Sequence, residues 1–325
     1  MHRRQVLTGL GASALALASP IALAQDAFPS RPLRFVNNFP PAGPSDILAR
    51  SVADVLQTQW KQAVVVDNRA GAGGNLGADA VAKAPADGYT LLFGIDSTFT
   101  VNPHVYRSMP FKPADLKPVL VMAASGLLIG ASTSALPQVK TLKDLIAEGK
   151  MPKGLSFSSG GNGSPGHLAA EQFTDAAQAR VTHIPYKGNT PAVQAVVAGE
   201  VGAGMLATPG MLPHVKSGKV AALAVTSRER SSLAPEVPTV AELGLPQLEQ
   251  EVLYVVMAPA ATPEPIVAQL AQAITAALQR PDNQQRLAQL DMRWEGLTGA
   301  AASKRLAEAS ARYQRIVKAT DMKLD

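Results

Sequence analysis

"FSSGGNGSPGHLAAEQF", residues 157–173, places Gly161-x-Gly163-x-x-Gly166 between a strand-like run and a helix-like run. This spacing reads in two ways. As a dinucleotide fingerprint it marks an oxidoreductase, whereas as a cradle for a smaller anion it marks a protein that binds a ligand without altering it. A dinucleotide fold needs an acidic residue at the end of the next strand, about twenty residues on, to hold a ribose hydroxyl. Here the next strand, "VTHIPYKG" (181–188), ends in Tyr186 and Lys187. Pro165 also sits inside the motif, where it restricts the close helix approach that the glycines allow. The loop does offer a run of backbone N–H groups, with Ser164 as the expected N-cap and Pro165 at the first helical position. A helix start of this kind attracts anions without any basic side chain.

The same construction occurs twice more, at "FPPAGPSDI" (39–47), where Ser45 or Asp46 is expected to cap a helix, and at "NRAGAGGNLGAD" (68–79). For any single loop, glycines that merely permit a tight strand-to-helix turn are a sufficient explanation. Three such loops in two halves of the chain favour a site. In open α/β sheets ligands sit beyond the carboxyl ends of the strands, where all three loops belong.

Around these loops short apolar runs alternate with amphipathic ones. "LRFVNNF" (33–39), "AVVVD" (63–67) and "YTLLFG" (89–94) read as strands. "SDILARSVADVLQTQW" (45–60) reads as a helix with Ile47, Leu48, Val52, Val55 and Leu56 on one face. The pattern restarts with the apolar run "VLVMAASGLLIGAS" and continues through helices at 141–148, 166–179 and 190–198. It includes the strands "LSFSS", "THIPY", "VGAGML", "VAALAVTS" and "EVLYVVMAP" and ends in a helical tail from Pro263. Such alternation predicts parallel βαβ units in two α/β lobes, the tail packing back on the first. No internal sequence repeat is visible.

The chain opens with "MHRRQVLTGLGASALALASPIALAQ", in which Arg3 and Arg4 precede an uncharged apolar stretch ending in Ala22-Leu23-Ala24. This is an export signal, read as cleaved after Ala24 and leaving the protein in the periplasm. The arginine pair leans toward the twin-arginine route, although the general secretory route also accepts two basic residues. Removing the two arginines lowers the formal net charge from +5 to +3. The remaining basic residues are scattered, which gives no nucleic-acid footprint, and no later segment reads as a membrane span. The chain has no cysteine, and its five histidines (2, 104, 167, 183 and 214) show neither HxxxH nor HExxH spacing. Thiolate chemistry is excluded, and neither a metal site nor a cofactor is expected. "NGSPG" misses a G-x-S-x-G nucleophile elbow because position 162 is Asn, so no catalytic residue is assigned. His167 reads as a first-turn helix residue and His183 as a satisfied strand residue.

Several stretches together resemble one family. They are "FPPAGPSDILAR" (39–50), "VVVDNRAGAGGNLGADAVAKAPADGYTLLFG" (64–94), "NPHVY" (102–106), "SSGGNGSPGHLAAEQF" (158–173), "THIPYKGNTPAV" (182–193), "LPHVKSGKVAALAVTSRERSSLAPEVPTVAELGLP" (212–246) and "APAATP" (258–263). The chain resembles the extracytoplasmic solute receptors of the tripartite tricarboxylate transporters, the Bug family. The resemblance implies a type II periplasmic binding protein, with two α/β lobes, a ligand cleft and a hinge. It also implies a non-catalytic receptor that passes a small carboxylate to membrane permease subunits. The expected layout is an export signal at 1–24, lobe 1 at 25–125 plus 248–325, and lobe 2 at 126–247, with crossover segments near 122–130 and 245–252. A monomer is expected.

Carried over by position, the ligand residues implied in lobe 1 are Phe39, Ala42, Gly43, Ser45, Asp46, Asp96 and Ser97. Those in lobe 2 are Ser159, Gly160, Gly161, Asn162 and Ser164. An aspartate at a helix start usually caps that helix and would repel a carboxylate, so a structural role is favoured for Asp46. Two departures from the family pattern stand out. Asn38 occupies a position where Pro is usual, and "EVGAGMLATPGMLPH" (200–214) has Gly202 and Leu206 where many relatives carry an Asp-containing segment. Leu206 is therefore expected to form an apolar ligand wall that disfavours an ammonium group. A ligand-presenting sensor for a membrane kinase fits the same sequence. A secreted enzyme fits less well, for want of a ribose partner, metal spacing and cysteines.

Overall fold

The computed structural model of the chain describes residues 28–320 together with Met322 and Lys323, so the expected export signal and its cleavage point lie outside the described residues. From Leu33 the predicted alternation is present: β1 (Leu33–Asn37), α1 (Pro44–Trp60), β2 (Val64–Asn68), α2 (Asn75–Ala82) and β3 (Thr90–Ile95), then the single turns α3 (Ser97–Thr100) and α4 (Asn102–Val105) and strand β4 (Leu116–Ser125). The middle of the chain gives β5 (Leu127–Ser132), α5 (Leu142–Lys150), β6 (Leu155–Ser159), α6 (Pro165–Ala177), β7 (Val181–Pro185), α7 (Asn189–Ala198), β8 (Ala203–Ala207), α8 (Thr208–Lys216) and β9 (Val220–Val225). The last part gives β10 (Val252–Pro259), α9 (Glu264–Leu278), α10 (Pro281–Gln289), β11 (Arg293–Leu297) and α11 (Gly299–Thr320).

The described strands form two sheets, ordered β11-β4-β10-β3-β1-β2 and β7-β6-β8-β5-β9. Each contains three parallel strands with the first in the middle, β2-β1-β3 in one and β7-β6-β8 in the other. Next to them lies one antiparallel strand that arrives from the other sheet: β10 enters the first from the second, and β5 enters the second from the first. The chain repeats its topology without repeating its sequence, because topology needs only the pattern of buried and exposed positions.

The apolar run read as one unit from Val119 splits at Gly126 between β4 and β5, which belong to different sheets. Gly126 leaves no room for a side chain, since a Cβ there would lie 2.7 Å from the backbone nitrogen of Ser227. The chain returns through residues 226–251. The single turns α3 and α4 and helix α8, which carries Pro213 in its interior, escape the sequence reading, and β11, a short, half-buried edge strand, interrupts the tail expected to be helical from Pro263.

Cores lie between the sheets and their helices. Phe35 and Phe93 stack at 4.4 Å on neighbouring β1 and β3, and Phe157 packs at 5.2 Å on Phe173 across β6 and α6. All eight residues of β10 are buried, as a strand flanked on both sides and covered on both faces requires. The tail does return to the first lobe, where β10 and β11 enter its sheet, and α11 packs on β4 and α3. It also touches α6 of the second lobe, so one helix bridges both.

Candidate ligand site

The first cleft loop runs from Asn37 to Asp46. The sequence reading expected Ser45 or Asp46 to cap α1, but the cap position falls to Gly43, with Pro44 in the first turn and no side-chain cap bond. The first-turn N–H groups of Ser45 and Asp46 therefore lack an intrahelical acceptor. The Asp46 side chain turns back instead. Its Oδ2 accepts the Ala42 N–H at 2.9 Å and Arg50 Nε at 3.1 Å, and its Oδ1 accepts Asn68 Nδ2 at 2.8 Å. Burial pushes its pKa up, but these three bonds outweigh that and hold the carboxyl below its usual range. This is the structural role favoured for it, although by tying down the loop at Ala42 rather than by capping its own helix. Ala42 has φ 62° and is exposed, while Phe39 is half-buried and packs on the core.

Asn38, the departure from the family pattern, has a clear task. Its buried amide donates to Gly74 O at 3.2 Å and to Thr98 Oγ1 at 3.1 Å, and Thr98 Oγ1 in turn donates to Gly73 O at 3.0 Å. One side chain thus ties together the loops after β1, β2 and β3. It fits only because its neighbours are glycines: a Cβ on Gly94 would lie 2.1 Å from Asn38 Oδ1, and one on Gly74 would lie 2.5 Å from Nδ2. Asn102 Nδ2 adds bonds to Gly73 O at 3.0 Å and Asn75 Oδ1 at 2.8 Å. Arg69, beside the second loop, pairs with Asp67 at 3.0 Å.

Asp96 and Ser97 follow β3 and are both buried. Asp96 Oδ1 accepts the Leu253 N–H at 3.0 Å and Oδ2 accepts Thr100 Oγ1 at 3.0 Å, which locks β3 to β10. Burial pushes the Asp96 carboxyl up to about 6 against those bonds.

In the second lobe the helix start is as the sequence predicted, with Ser164 as N-cap, its Oγ accepting the His167 N–H at 3.3 Å, and Pro165 in the first turn. Ser159 is fully buried, and its Oγ meets His183 Nε2 at 2.5 Å while accepting the Gly161 N–H at 3.2 Å. Gly160 O accepts the Gly188 N–H at 3.2 Å, and Asn162 stands exposed at the loop tip. His167 and His183, read separately as structural residues, stack 3.8 Å apart behind this loop.

Leu206 needs correcting. It is 2% exposed and belongs to the core cluster that also holds Leu128, Val193 and Met211. Its place inside a β-strand turns it toward the helices, so it forms no ligand wall. The argument against an ammonium group therefore loses its residue.

Asp96 and Ser97 of one lobe share a cavity wall with Gly163, Ser164 and Pro165 of the other, joined by Gln250, Glu251 and Tyr313. The lining contains no Lys or Arg. The remaining candidates stay at the carboxyl ends of β1 and β6 without a contact across the lobes that would join them. Sequence reasoning missed the strap that closes this wall. Gln250 donates to Pro165 O at 2.9 Å, and Thr226 Oγ1 donates to Gln250 O at 2.7 Å while accepting the Leu127 N–H at 2.8 Å. Glu251 accepts Arg305 at 2.7 Å and Arg293 at 3.1 Å, and Tyr313 donates to its carbonyl at 2.9 Å. These partners are 24 to 99 residues apart, beyond any local pattern.

The profile of the family described as "Tripartite tricarboxylate transporter family receptor" matches residues 48–322. Protein BugT of Bordetella pertussis is 39% identical over 282 residues, 86% of this chain and 85% of its own. The solved structure described as "R. palustris Rpa4515 with adipate" superposes with a TM-score of 0.81 at 31% identity, covering 91% of this chain and 99% of that one. "MatC (Rpa3494) from Rhodopseudomonas palustris with bound malate" gives 0.75 at 28% identity, covering 89% and 100%. The two α/β lobes are therefore those of a type II periplasmic binding protein. The chain belongs to the tripartite tricarboxylate transporter receptors, the Bug group of periplasmic solute-binding proteins, a family of receptors rather than enzymes.

Proposed function

We propose that the chain captures a small carboxylate between its two lobes and hands it to a membrane permease of the tripartite tricarboxylate type. In this reading lobe 1 comprises residues 25–125 and 248–325, and lobe 2 residues 126–247. One observation carries it: Ser97 of the first lobe and the Gly163–Pro165 helix start of the second line one water-sized interlobe wall, whose only charged side chains, Asp96 and Glu251, are held by partners of their own. A carboxylate there would be held by backbone N–H groups and hydroxyls, donors that orient an anion without adding charge. The donor set comes from Ser45, Ser97, Ser164 and the backbone of Gly43, Gly160, Gly161 and Asn162, with Phe39 and Ala42 shaping the entrance and the buried Ser159 holding the second loop from behind. Asp46 stands behind these donors and holds the first loop, while Asp96 lies on the wall with its oxygens taken by the Leu253 N–H and Thr100 Oγ1. Adipate and malate occupy two structural relatives, so C4 to C6 dicarboxylates are the first ligands to try. Among the described residues no helix is long and apolar enough to cross a membrane, and membership of the tripartite transporter receptors supports a membrane permease as the partner.

A thermal-shift screen against adipate, malate, simple monocarboxylates, amino acids and nucleotides tests the reading. A ligand at 100 times its Kd adds about 2.7 kcal/mol of stability. Stabilisation by a carboxylate that is recovered unchanged is the expected result. Stabilisation by a nucleotide alone, or turnover of the ligand, would overturn it. Uptake of the labelled carboxylate by cells with and without the chain separates transport from sensing.

A further inference from the structure

Two imidazoles lie behind the Ser159–Ser164 loop and hold its two ends. His183 sits on β7, in register with Phe157 of β6, and its Nε2 meets Ser159 Oγ at 2.5 Å. His167 lies in the first turn of α6, and its Nδ1 accepts the Gly163 N–H at 3.1 Å. The rings stack 3.8 Å apart at an interplanar angle of 8°. The titratable groups bearing on the stack are the two rings themselves and Glu171 of α6, whose Oε1 is 3.6 Å from His167 Nε2. β6 contributes Ser159, a neutral hydroxyl.

We propose that His167 and His183 are positioning residues for the ligand loop, one holding the Ser159 hydroxyl and the other the Gly163 amide, so that the donors shown to a carboxylate follow the protonation of the stack. This rests on the receptor reading above and adds to it a proton linkage.

The hydrogen bonds dictate the chemistry. An Nδ1 that accepts an N–H carries no proton, so neutral His167 holds its proton on Nε2, facing Glu171. A proton added at Nδ1 would set two N–H groups against each other, and the Gly163 N–H would turn toward the cavity wall that it shares with Asp96 and Ser97. Ser159 has one hydroxyl proton and two acceptors within reach, His183 Nε2 and Gly161 O at 3.1 Å. Protonated His183 must donate from Nε2, which sends the hydroxyl proton to Gly161 O. Either event adds positive charge, and the first frees an N–H, beside the place where the anion is proposed to sit. Two parallel cations at stacking distance repel strongly, so the pair takes one proton at a time. Burial and the neighbouring ring push His183 down to about 4 without a ligand, and a seated anion raises it again. Binding is then coupled to proton uptake, and by reciprocity acid tightens binding.

Calorimetry with adipate, and with malate as second probe, in buffers of different ionisation enthalpy reads the proton count directly. The wild type should take up more protons on binding than His183→Gln, whose amide reaches Ser159 without titrating. His183→Leu should weaken binding by roughly tenfold at every pH, the loss of one positioned hydrogen bond. Equal proton uptake in wild type and His183→Gln, or wild-type affinity in His183→Leu, would overturn the proposal. A ligand-free measurement keeps this separate from the receptor reading. In nitrogen-15 spectra His167 should carry its proton on Nε2, and the Gly163 amide shift should follow the His167 titration and lose that dependence in His167→Asn. An amide that ignores His167 would overturn the proposal whatever ligand is found, whereas a wild type that binds no carboxylate would overturn the receptor reading alone.

Discussion

The two lobes share a strand order but hold their cleft loops by different chemistry. The first uses amides and a carboxylate: Asn38 and Asn102 bind carbonyls of the Gly73–Gly74 turn, and Asp46 collects the Ala42 N–H, Asn68 and Arg50. The second uses a hydroxyl and imidazoles: Ser159 Oγ meets His183 Nε2, and His167 Nδ1 accepts the Gly163 N–H. A fold of this kind thus specifies where the loops emerge and leaves open what rigidifies them. Each solution has its own dependence on size and on pH, and these dependences can be tested.

The largest expected effect lies on the strap that couples the lobes. Glu251 is buried and its carboxylate is shared by Arg305 and Arg293. Glu295 remains within reach of both arginines, so what Glu251→Ala removes is one hydrogen bond to each of two charged groups, a loss of about 3 kcal/mol in all. Denaturant unfolding of the ligand-free protein checks this, and a change below about 0.5 kcal/mol, the range of an ordinary surface substitution, would mean that Glu251 does not anchor the strap to the tail.

Next comes a paired glycine test. Gly74 in the first lobe has φ 91°, and a Cβ there would lie 2.4 Å from Thr98 Oγ1. Gly160 in the second lobe has ordinary backbone angles and nothing closer than 3.5 Å. Gly74→Ala should cost about 2 kcal/mol through strain and overpacking, and Gly160→Ala about 0.5 kcal/mol or less. Similar losses in both would erase the distinction between the two loops. If Gly160→Ala keeps its stability but loses carboxylate affinity, the loop is a binding element.

The last expected effect is a pair of opposing pH slopes. Asp96 has a raised pKa when folded, so its contribution to stability is full below about 3.8 and is lost as pH rises through about 6. His183 has a depressed one, so its contribution is full above about 6.5 and is lost as pH falls through about 4. Over pH 4 to 6 the two slopes oppose each other in the wild type. Asp96→Asn should leave a protein whose stability rises with pH across that window, and His183→Gln one whose stability falls. Thermal melts at half-unit pH steps read this, and unchanged slopes in both variants would show that other groups set the acid response.

Much of the architecture was legible before any coordinates. Strand and helix existence followed from apolar periodicity, and the Ser164–Pro165 helix start from capping chemistry, because both are set by residues a few positions apart. The same locality explains the errors. Gly43 rather than Ser45 or Asp46 caps α1 because Asp46 is drawn to Arg50 and Asn68, the latter from the next strand. Leu206 looked like a pocket residue in the chain, but the pairing of β8 with β5 decides which way it points.

By itself the sequence determined the alternating α/β layout, the three glycine-rich helix starts and the exclusion of thiolate chemistry, since these need only composition and short spacings. Only the tertiary structure decided that Asn38 ties three loops together, that two histidines sixteen residues apart stack into one unit, and that Glu251 joins the return strap to the tail helix. Those contacts depend on strand order and register, which long-range packing selects from the many arrangements that the same periodicity allows.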